Sequence, residues 1–191
     1  MLVSGSGSNL QALIDRLDPS LAEIVLVVSD RPGAYGLERA RMAGIPTEVV
    51  EWQGDRGRFT TAVCDAVDRA GAEAMVLAGF MRILGSDAID RFPHRILNVH
   101  PSLLPAFPGA RAVEDALDHG VAVTGVTIHF VDEQVDHGPI CLQVPVEVRP
   151  EDTADTLHAR IQGEEHAHYP RVVEAFCAGR LEIQGRKVIW R

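Results

Sequence analysis

The segment MLVSGSGSNLQALIDRL, residues 1–17, passes from an apolar run through a glycine loop into a helical pattern. The apolar residues after the loop recur at spacings of three and four, as on one face of a helix: Leu10, Leu13, Ile14 and Leu17. We therefore expect a strand near residues 1–4 and a helix over 8–18, whose first turn Ser8 or Asn9 could cap. A strand, a tight glycine turn and a helix in this order are typical of an α/β fold.

The same alternation of short apolar runs and helical patterns continues along the first two thirds of the chain. Further strands are predicted near 23–29, 46–50, 74–78 and 95–99, and further helices over 35–43, 56–71 and 111–119. Alternating strands and helices favour an open, mostly parallel, twisted sheet with helices on both faces.

The C-terminal third has a different pattern. VAVTGVTIHFV (121–131) and PICLQVPVEV (139–148) are rich in β-branched residues with no helix between them, so we expect two antiparallel strands. A long helix follows over 153–178, opened by Asp152 or Thr153, and a terminal hairpin turns around Gly185. Without repeats or linkers, residues 1–191 are expected to form one domain. The first predicted strand is short for a central strand. Either the strand itself is truncated, or its true start lies upstream of residue 1.

The composition argues against several kinds of function. Of the 18 basic residues only Lys187 is a lysine, and it follows no glycine loop, which disfavours a P-loop and a lysine Schiff base. A net charge of −9 disfavours nucleic acid and anionic membranes as partners. No apolar run is long enough to span a membrane and no signal peptide is recognisable, so we expect a cytoplasmic protein. Three scattered cysteines without Cys-x-x-Cys spacing indicate neither a disulfide framework nor a zinc site.

The glycine loop SGSGSNL, residues 4–10, offers a small anion site. Glycines let a ligand approach the backbone closely, and the amides at a helix N-terminus attract anions. Leu10 stands where the dinucleotide fingerprint requires its third glycine, so that motif is absent. Backbone amides together with Ser8 and Asn9 would suit one phosphate, although a tight βα turn without a ligand explains the loop equally well.

A second candidate site lies in NVHPSLLPAFPG, residues 98–109. Asn98 and His100 are two residues apart at the end of a predicted strand, so both side chains point the same way. An amide and an imidazole side by side can donate hydrogen bonds to one developing oxyanion. Three prolines stiffen the loop that follows. The alternative is a core strand followed by a structural loop.

The segment TGVTIHFVDEQVDHGPI, residues 124–140, adds a carboxylate to this hypothesis. Thr127 and His129 alternate on one strand face, and Asp136 falls in the loop that Gly138 and Pro139 close. A carboxylate close to His100 would orient the ring and favour its protonated form. The alternative is an exposed acidic turn.

Several segments resemble the glycinamide ribonucleotide formyltransferase family. The resemblance runs in order from about residue 3 to residue 183 and rests on five segments: GSGSN, LAGFMRIL, NVHPSLLPAFPG, VTGVTIHFVDEQVDHGPI and EEHAHYP. It implies a Rossmann-like formyltransferase fold with antiparallel strands in its C-terminal part. It also implies transfer of a formyl group from 10-formyltetrahydrofolate, as co-substrate, to the amine of glycinamide ribonucleotide in purine biosynthesis, without a metal.

The resemblance also assigns roles to individual residues. The family's catalytic trio matches Asn98, His100 and Asp136, with the first two stabilising the oxyanion and the last carrying protons. The segment that holds the ribonucleotide phosphate matches Gly7, Ser8 and Asn9, and a substrate-contacting glutamate matches Glu165. The folate-pocket residues match Met81, Arg82, Ile83 and Leu84, joined by Arg56 on a looser alignment. Arg82 either meets the glutamate tail of folate or is solvated.

The sequence is also compatible with other functions. The chain could hydrolyse formyl-folate with water in place of the amine, or it could be a non-catalytic folate- or phosphate-binding module. His158, Glu165, His166 and His168 share one predicted helix without a His-Glu-x-x-His pattern, so we predict no metal site. The expected partners are small-molecule substrates rather than nucleic acid or membrane, and the expected assembly is a monomer or a homodimer.

Overall fold

The computed structural model describes residues 1–191 and contains nine strands and six helices. The strands are β1 (Leu2–Val3), β2 (Val27–Ser29), β3 (Thr47–Val49), β4 (Met75–Leu77), β5 (Ile96–His100), β6 (Val123–Phe130), β7 (Ile140–Glu147), β8 (Leu181–Gln184) and β9 (Lys187–Trp190). The helices are α1 (Ser8–Arg16), α2 (Tyr35–Met42), α3 (Arg56–Arg69), α4 (Ser86–Arg91), α5 (Ala112–His119) and α6 (Ala154–Cys177).

All nine strands join one sheet in the order β3-β2-β1-β4-β5-β6-β7-β9-β8. Strands β1 to β5 pair in parallel. The pairs β5–β6, β6–β7 and β8–β9 are antiparallel, whereas β7 pairs with β9 in parallel. This arrangement confirms the predicted fold class, a mostly parallel sheet with antiparallel strands in the C-terminal part.

Helices cover both faces of the sheet, because alternate residues of the central strands point in opposite directions. On β4, Met75 and Leu77 pack against α3 and α4, whereas Val76 packs on the opposite face with residues of α1 and α6. Helix α2 covers β1 and β2 on the same side as α1. Because both faces of the sheet are buried, the strands are continuous apolar runs and do not alternate between apolar and polar residues.

The structure corrects three expectations about local structure. Strand β2 begins at Val27 rather than near residue 23, because β1 offers it only two paired positions, Leu2 and Val3. Helix α4 was not predicted, and it spans only six residues with one buried, Ala88. The residue at the N-cap of α1 is Gly7, so neither Ser8 nor Asn9 caps this helix.

The conformation of Gly7 explains that last difference. Its φ is 69°, in the left-handed region that favours glycine, and it makes the turn from the loop into α1. A Cβ at this position would lie 2.6 Å from the Cα of Gly36 at the start of α2. The loop is therefore packed directly on α2, and Asn9 is free to point into the interior.

Helix α6 begins as predicted. Thr153 is its N-cap and accepts a hydrogen bond from the backbone of Thr156, whose hydroxyl accepts one in return from the backbone of Thr153. No helix of the structure combines the length and the apolar character needed to cross a membrane.

Candidate active site

The side chains of Asn98 and His100 lie where β5 continues beyond the end of β4. Asn98 is level with Leu77, the last residue of β4. His100 is buried and Asn98 is half-buried. The two side chains therefore occupy the carboxyl edge of the parallel strands, where ligands bind in open α/β sheets.

Asp136 lies beside both of these residues, as the sequence predicts. Its Oδ2 is 3.4 Å from His100 Nδ1 and accepts a hydrogen bond of 2.7 Å from the backbone of Gly109. Its Oδ1 accepts a longer bond of 3.5 Å from Asn98 Nδ2. The structure thus brings Asn98, His100 and Asp136 together, and Asp136 is not part of an exposed acidic turn.

The backbone around Asp136 is shaped to hold it there. Asp136 has a φ of 52°, which is uncommon for a residue other than glycine. Two residues later, a Cβ on Gly138 would lie 1.9 Å from the carbonyl oxygen of Phe130, so only glycine fits. This close approach lets the loop fold back on β6 and place the carboxylate against β5.

His100 is held between two acceptors. Its Nε2 lies 2.8 Å from the carbonyl oxygen of Phe107, and its Nδ1 faces the Asp136 carboxylate. Both ring nitrogens of His100 therefore face oxygen atoms, and these two contacts fix the orientation of the ring.

A second histidine, His129, completes the site. It is buried on β6 directly opposite Asn98. Its Nδ1 lies 2.8 Å from the carbonyl oxygen of Phe130, and burial lowers its pKa below the ordinary value. The neutral ring therefore carries its proton on Nδ1, which leaves Nε2 to accept from Asn98 Nδ2 at 3.3 Å. This contact orients the amide nitrogen of Asn98.

The structure also brings together two residues of the predicted ribonucleotide site that are 156 positions apart. Asn9 Nδ2 donates a 2.7 Å hydrogen bond to Glu165 Oε2. Both side chains are buried, and burial raises the pKa of Glu165 while the bond from Asn9 opposes that shift. The remaining amide oxygen of Asn9 is buried without a hydrogen-bond partner. A buried polar atom without a partner is costly, and its presence is common at functional sites.

The glycine loop is tied to its neighbours through backbone contacts. Gly5 accepts a hydrogen bond from the backbone of Gly36, and Ser6 accepts one from the Arg39 guanidinium. Ser4 donates its backbone N–H to Gly79 and accepts from Met81 through its hydroxyl. The loop is therefore fixed both to α2 and to the segment after β4.

That segment carries the predicted folate-side residues. Met81 and Ile83 are 54% and 53% exposed, whereas Leu84 is buried. Large apolar side chains this exposed, next to a polar site, are typical of a ligand-binding surface. Arg56 donates to the carbonyl oxygen of Leu84.

Arg82 is not simply solvated. Its Nε donates to the buried carboxylate of Asp30 at 2.8 Å, and its guanidinium lies 5.0 Å from the centre of the Trp52 ring. Nε carries one of the five N–H groups of the guanidinium, and the four on the terminal nitrogens donate to no protein group. The side chain is thus a fixed cation at the end of the segment.

An apolar cavity of about 340 Å³ lies elsewhere, at the amino ends of the parallel strands. Met1, Leu26 and Ala74 are among its lining residues, and none of the predicted site residues lines it. We place the candidate site at the opposite edge, because the polar and titratable groups converge there. No group of three or more His, Cys, Asp or Glu side chains is arranged to hold a metal ion.

Comparison with known proteins identifies the family of the chain. The family model described as formyl transferase matches residues 1–173, and the chain therefore belongs to the formyl transferase family. Among curated relatives, the phosphoribosylglycinamide formyltransferase of Escherichia coli K12 is 40% identical over 187 residues, which cover 96% of this chain and 88% of that protein.

A solved structure and a longer relative add to the comparison. Glycinamide ribonucleotide transformylase 1 from Symbiobacterium toebii superposes with a TM-score of 0.94 at 45% identity, covering 99% of this chain and 91% of that one. The trifunctional purine biosynthetic protein adenosine-3 of Gallus gallus is 43% identical over 196 residues, which cover 100% of this chain. The chain spans 20% of the length of that relative.

Proposed function

We propose that the protein transfers a formyl group from 10-formyltetrahydrofolate to the amine of glycinamide ribonucleotide, a step of purine biosynthesis. The observation that carries the proposal is the convergence of Asn98, His100 and Asp136 at one point, at the same edge of the sheet as the glycine loop. The names of the similar proteins point to the ribonucleotide as the formyl acceptor, and the resemblance to the family points to 10-formyltetrahydrofolate as the donor.

The ribonucleotide would bind at the glycine loop. Amides of Gly7, Ser8 and Asn9 at the start of α1 would hold its phosphate, because a helix N-terminus favours anions. Glu165 lies against Asn9 and can accept hydrogen bonds from hydroxyl groups of the ribose. The amide oxygen of Asn9, which lacks a partner within the protein, can do the same.

The folate would bind along the segment after β4. The exposed side chains of Met81 and Ile83 offer apolar contact area for a flat ring, next to the buried Leu84. The guanidinium groups of Arg56 and Arg82 lie in this region and would face the carboxylates of the glutamate tail.

The reaction forms a bond between the amine nitrogen and the formyl carbon and breaks the bond from that carbon to the folate nitrogen. Holding both substrates in one cleft replaces a bimolecular encounter. Asn98 Nδ2 and the imidazolium of His100 would donate hydrogen bonds to the oxyanion of the tetrahedral intermediate. Each would give up its long contact with Asp136, of 3.5 Å and 3.4 Å respectively, to do so. Asp136, which lies next to both donors, would take a proton from the amine and pass it to the folate nitrogen, directly or through water. No step requires a metal.

The proposal extends to the organisation of the protein. Residues 1–191 would act as one formyltransferase domain, as a monomer or a homodimer. The three cysteines are free thiols, which suits the reducing environment of the cytoplasm.

Turnover of 10-formyltetrahydrofolate, followed by absorbance with and without glycinamide ribonucleotide, tests the proposal. We expect turnover that depends on the ribonucleotide and yields its formylated product. Release of formate without the ribonucleotide would show a hydrolase instead. Tight binding of either ligand without any turnover would show a binding module and would also refute the proposal.

A further inference from the structure

The loop from Pro101 to Gly109 contacts both His100 and Asp136 through its backbone. The carbonyl oxygen of Phe107 accepts from His100 Nε2 at 2.8 Å, and the N–H of Gly109 donates to Asp136 Oδ2 at 2.7 Å. The path of this loop therefore decides how the imidazole and the carboxylate are oriented. Whatever fixes the loop also fixes the catalytic pair.

Thr127 is the residue that anchors the first half of this loop. It is completely buried on β6, directly opposite His100. Its hydroxyl donates to the carbonyl oxygen of Ser102 at 2.7 Å and accepts from the N–H of Leu104 at 3.0 Å. A third bond, of 3.0 Å, comes from the side-chain amide of Gln143. One donor and two acceptor positions are all that a hydroxyl has, so each is used.

The anchor extends across three strands. His100 on β5 pairs with Thr127 on β6, and Thr127 pairs in turn with Gln143 on β7. Gln143 Nε2 also donates to the carbonyl oxygen of Leu104 at 2.8 Å. Within the loop, the Ser102 hydroxyl donates to the carbonyl oxygen of Ala106 at 2.6 Å. A chain of hydrogen bonds therefore links Thr127 to Ser102 and Ser102 to Ala106, the residue before Phe107.

We propose that Thr127 is a positioning residue for His100, acting through the Pro101–Gly109 loop with the help of Gln143. The inference rests on the formyl transfer proposed above and adds to it a residue that touches neither substrate. It predicts that loss of the Thr127 hydroxyl lowers kcat more than it changes ribonucleotide binding. Loop displacements of about 1 Å can lower a rate by about 100-fold.

Thr124 provides a matched control on the same strand. It is also buried, but its hydroxyl has no hydrogen-bond partner. Replacing either threonine by valine preserves the side-chain shape and removes one hydroxyl. Of the two hydroxyl groups, only that of Thr127 forms hydrogen bonds with the Pro101–Gly109 loop.

The test compares Thr127→Val, Thr127→Ser and Thr124→Val with the wild-type protein. We expect Thr127→Val to lower kcat by about 10- to 100-fold, while the KM for the ribonucleotide changes less than threefold. Thr127→Ser keeps the hydroxyl and should restore kcat to within about threefold of wild type. Thr124→Val should leave both constants unchanged. Wild-type kcat in a folded Thr127→Val variant would overturn the inference.

Two further measurements keep the test decisive. If Thr127→Val does not fold, Gln143→Met serves as the second variant, because Gln143 pairs with Thr127 across β6 and β7 and donates to Leu104. This variant should lower kcat several-fold, and an unchanged kcat would refute the inference. The ¹⁵N signals of the His100 imidazole, assigned with a His100→Ala variant, should shift in Thr127→Val and stay in place in Thr124→Val. This spectroscopic result does not depend on turnover. Absence of turnover in the wild type would refute the proposed function, whereas unshifted His100 signals would refute the positioning role.

Discussion

Replacing Asp136 by asparagine tests the charge at the centre of the site. The carboxylate Oδ2 is 3.4 Å from His100 Nδ1, and the side chain is 11% exposed. His100 is an imidazolium in the proposed mechanism, and at this distance such an ion pair is worth about 5 kcal/mol at an effective dielectric constant of about 20, and about 1 kcal/mol in bulk water. Since about 1.4 kcal/mol corresponds to one factor of ten, the two limits span about 10-fold to several thousand-fold in rate. The small exposure places this site between them, so we expect kcat to fall by about 10²- to 10³-fold.

The shape of the site should survive this substitution. An asparagine oxygen can still accept the 2.7 Å hydrogen bond from Gly109, so the loop keeps that contact. We therefore expect the thermal stability and the Kd of the ribonucleotide, measured by calorimetry, to stay close to the wild-type values. The assay is ribonucleotide-dependent turnover of 10-formyltetrahydrofolate at saturating substrates. A kcat within threefold of wild type would refute the role of the Asp136 charge.

Three further predictions concern other parts of the structure. Asn9→Asp would place a second carboxylate against Glu165, where the amide now donates at 2.7 Å, and next to the ribonucleotide phosphate. Calorimetry should show the ribonucleotide Kd raised about tenfold or more, and an unchanged Kd would mean that the phosphate binds elsewhere. The pKa of Glu165 is raised above 4.5 by burial, so the folded chain keeps this proton at pH values where the unfolded chain has lost it. The free energy of unfolding must then decline as the pH rises from 4.5 through the folded pKa. Glu165→Gln should remove that decline, so the variant should be more stable than the wild type at neutral pH. The same variant should bind the ribonucleotide more weakly. Parallel curves of stability against pH for the two proteins would contradict this. Gly138→Ala should lower the free energy of unfolding by about 1–3 kcal/mol and reduce kcat, because its Cβ would meet the Phe130 carbonyl. Gly163→Ala is the comparison, because Gly163 lies in α6 with open space around the added Cβ, and this variant should raise the free energy of unfolding by about 0.5–1 kcal/mol. Equal melting temperatures for these two variants would contradict the steric argument.

Much of the fold follows from local sequence patterns. The apolar face of α1 and the cap of α6 at Thr153 are properties of short segments, and the structure confirms both. The start of β2 is different, because a strand needs a partner. The segment Ile24–Leu26 is apolar enough for a strand, but the partner strand β1 consists of Leu2 and Val3 alone. The local sequence of one strand does not indicate the length of the strand that pairs with it.

The site was predictable to the extent that it consists of side chains in recognisable motifs. Asn98, His100 and Asp136 are visible in the sequence, and the structure brings them together. The alternation of Thr127 and His129 was the one signal for their contribution, but it does not reveal that His129 faces Asn98. The backbone contacts of the site depend on the path of a loop, which no residue type encodes.

The reversal of strand direction after β5 sets the path by which Asp136 reaches Asn98 and His100. Because β6 runs antiparallel to β5, it ends with Phe130 beside Leu97, and the next segment has to turn back before β7 can begin. The bond from the Phe130 N–H to the Pro139 carbonyl closes that turn, and Gly138 allows the close approach it needs. The turn lies against β5, so Asp136 comes to rest on Asn98, 38 positions earlier in the chain. A parallel β6 would have required a crossover connection of about a dozen or more residues. The antiparallel pair therefore shapes the candidate site as well as the fold.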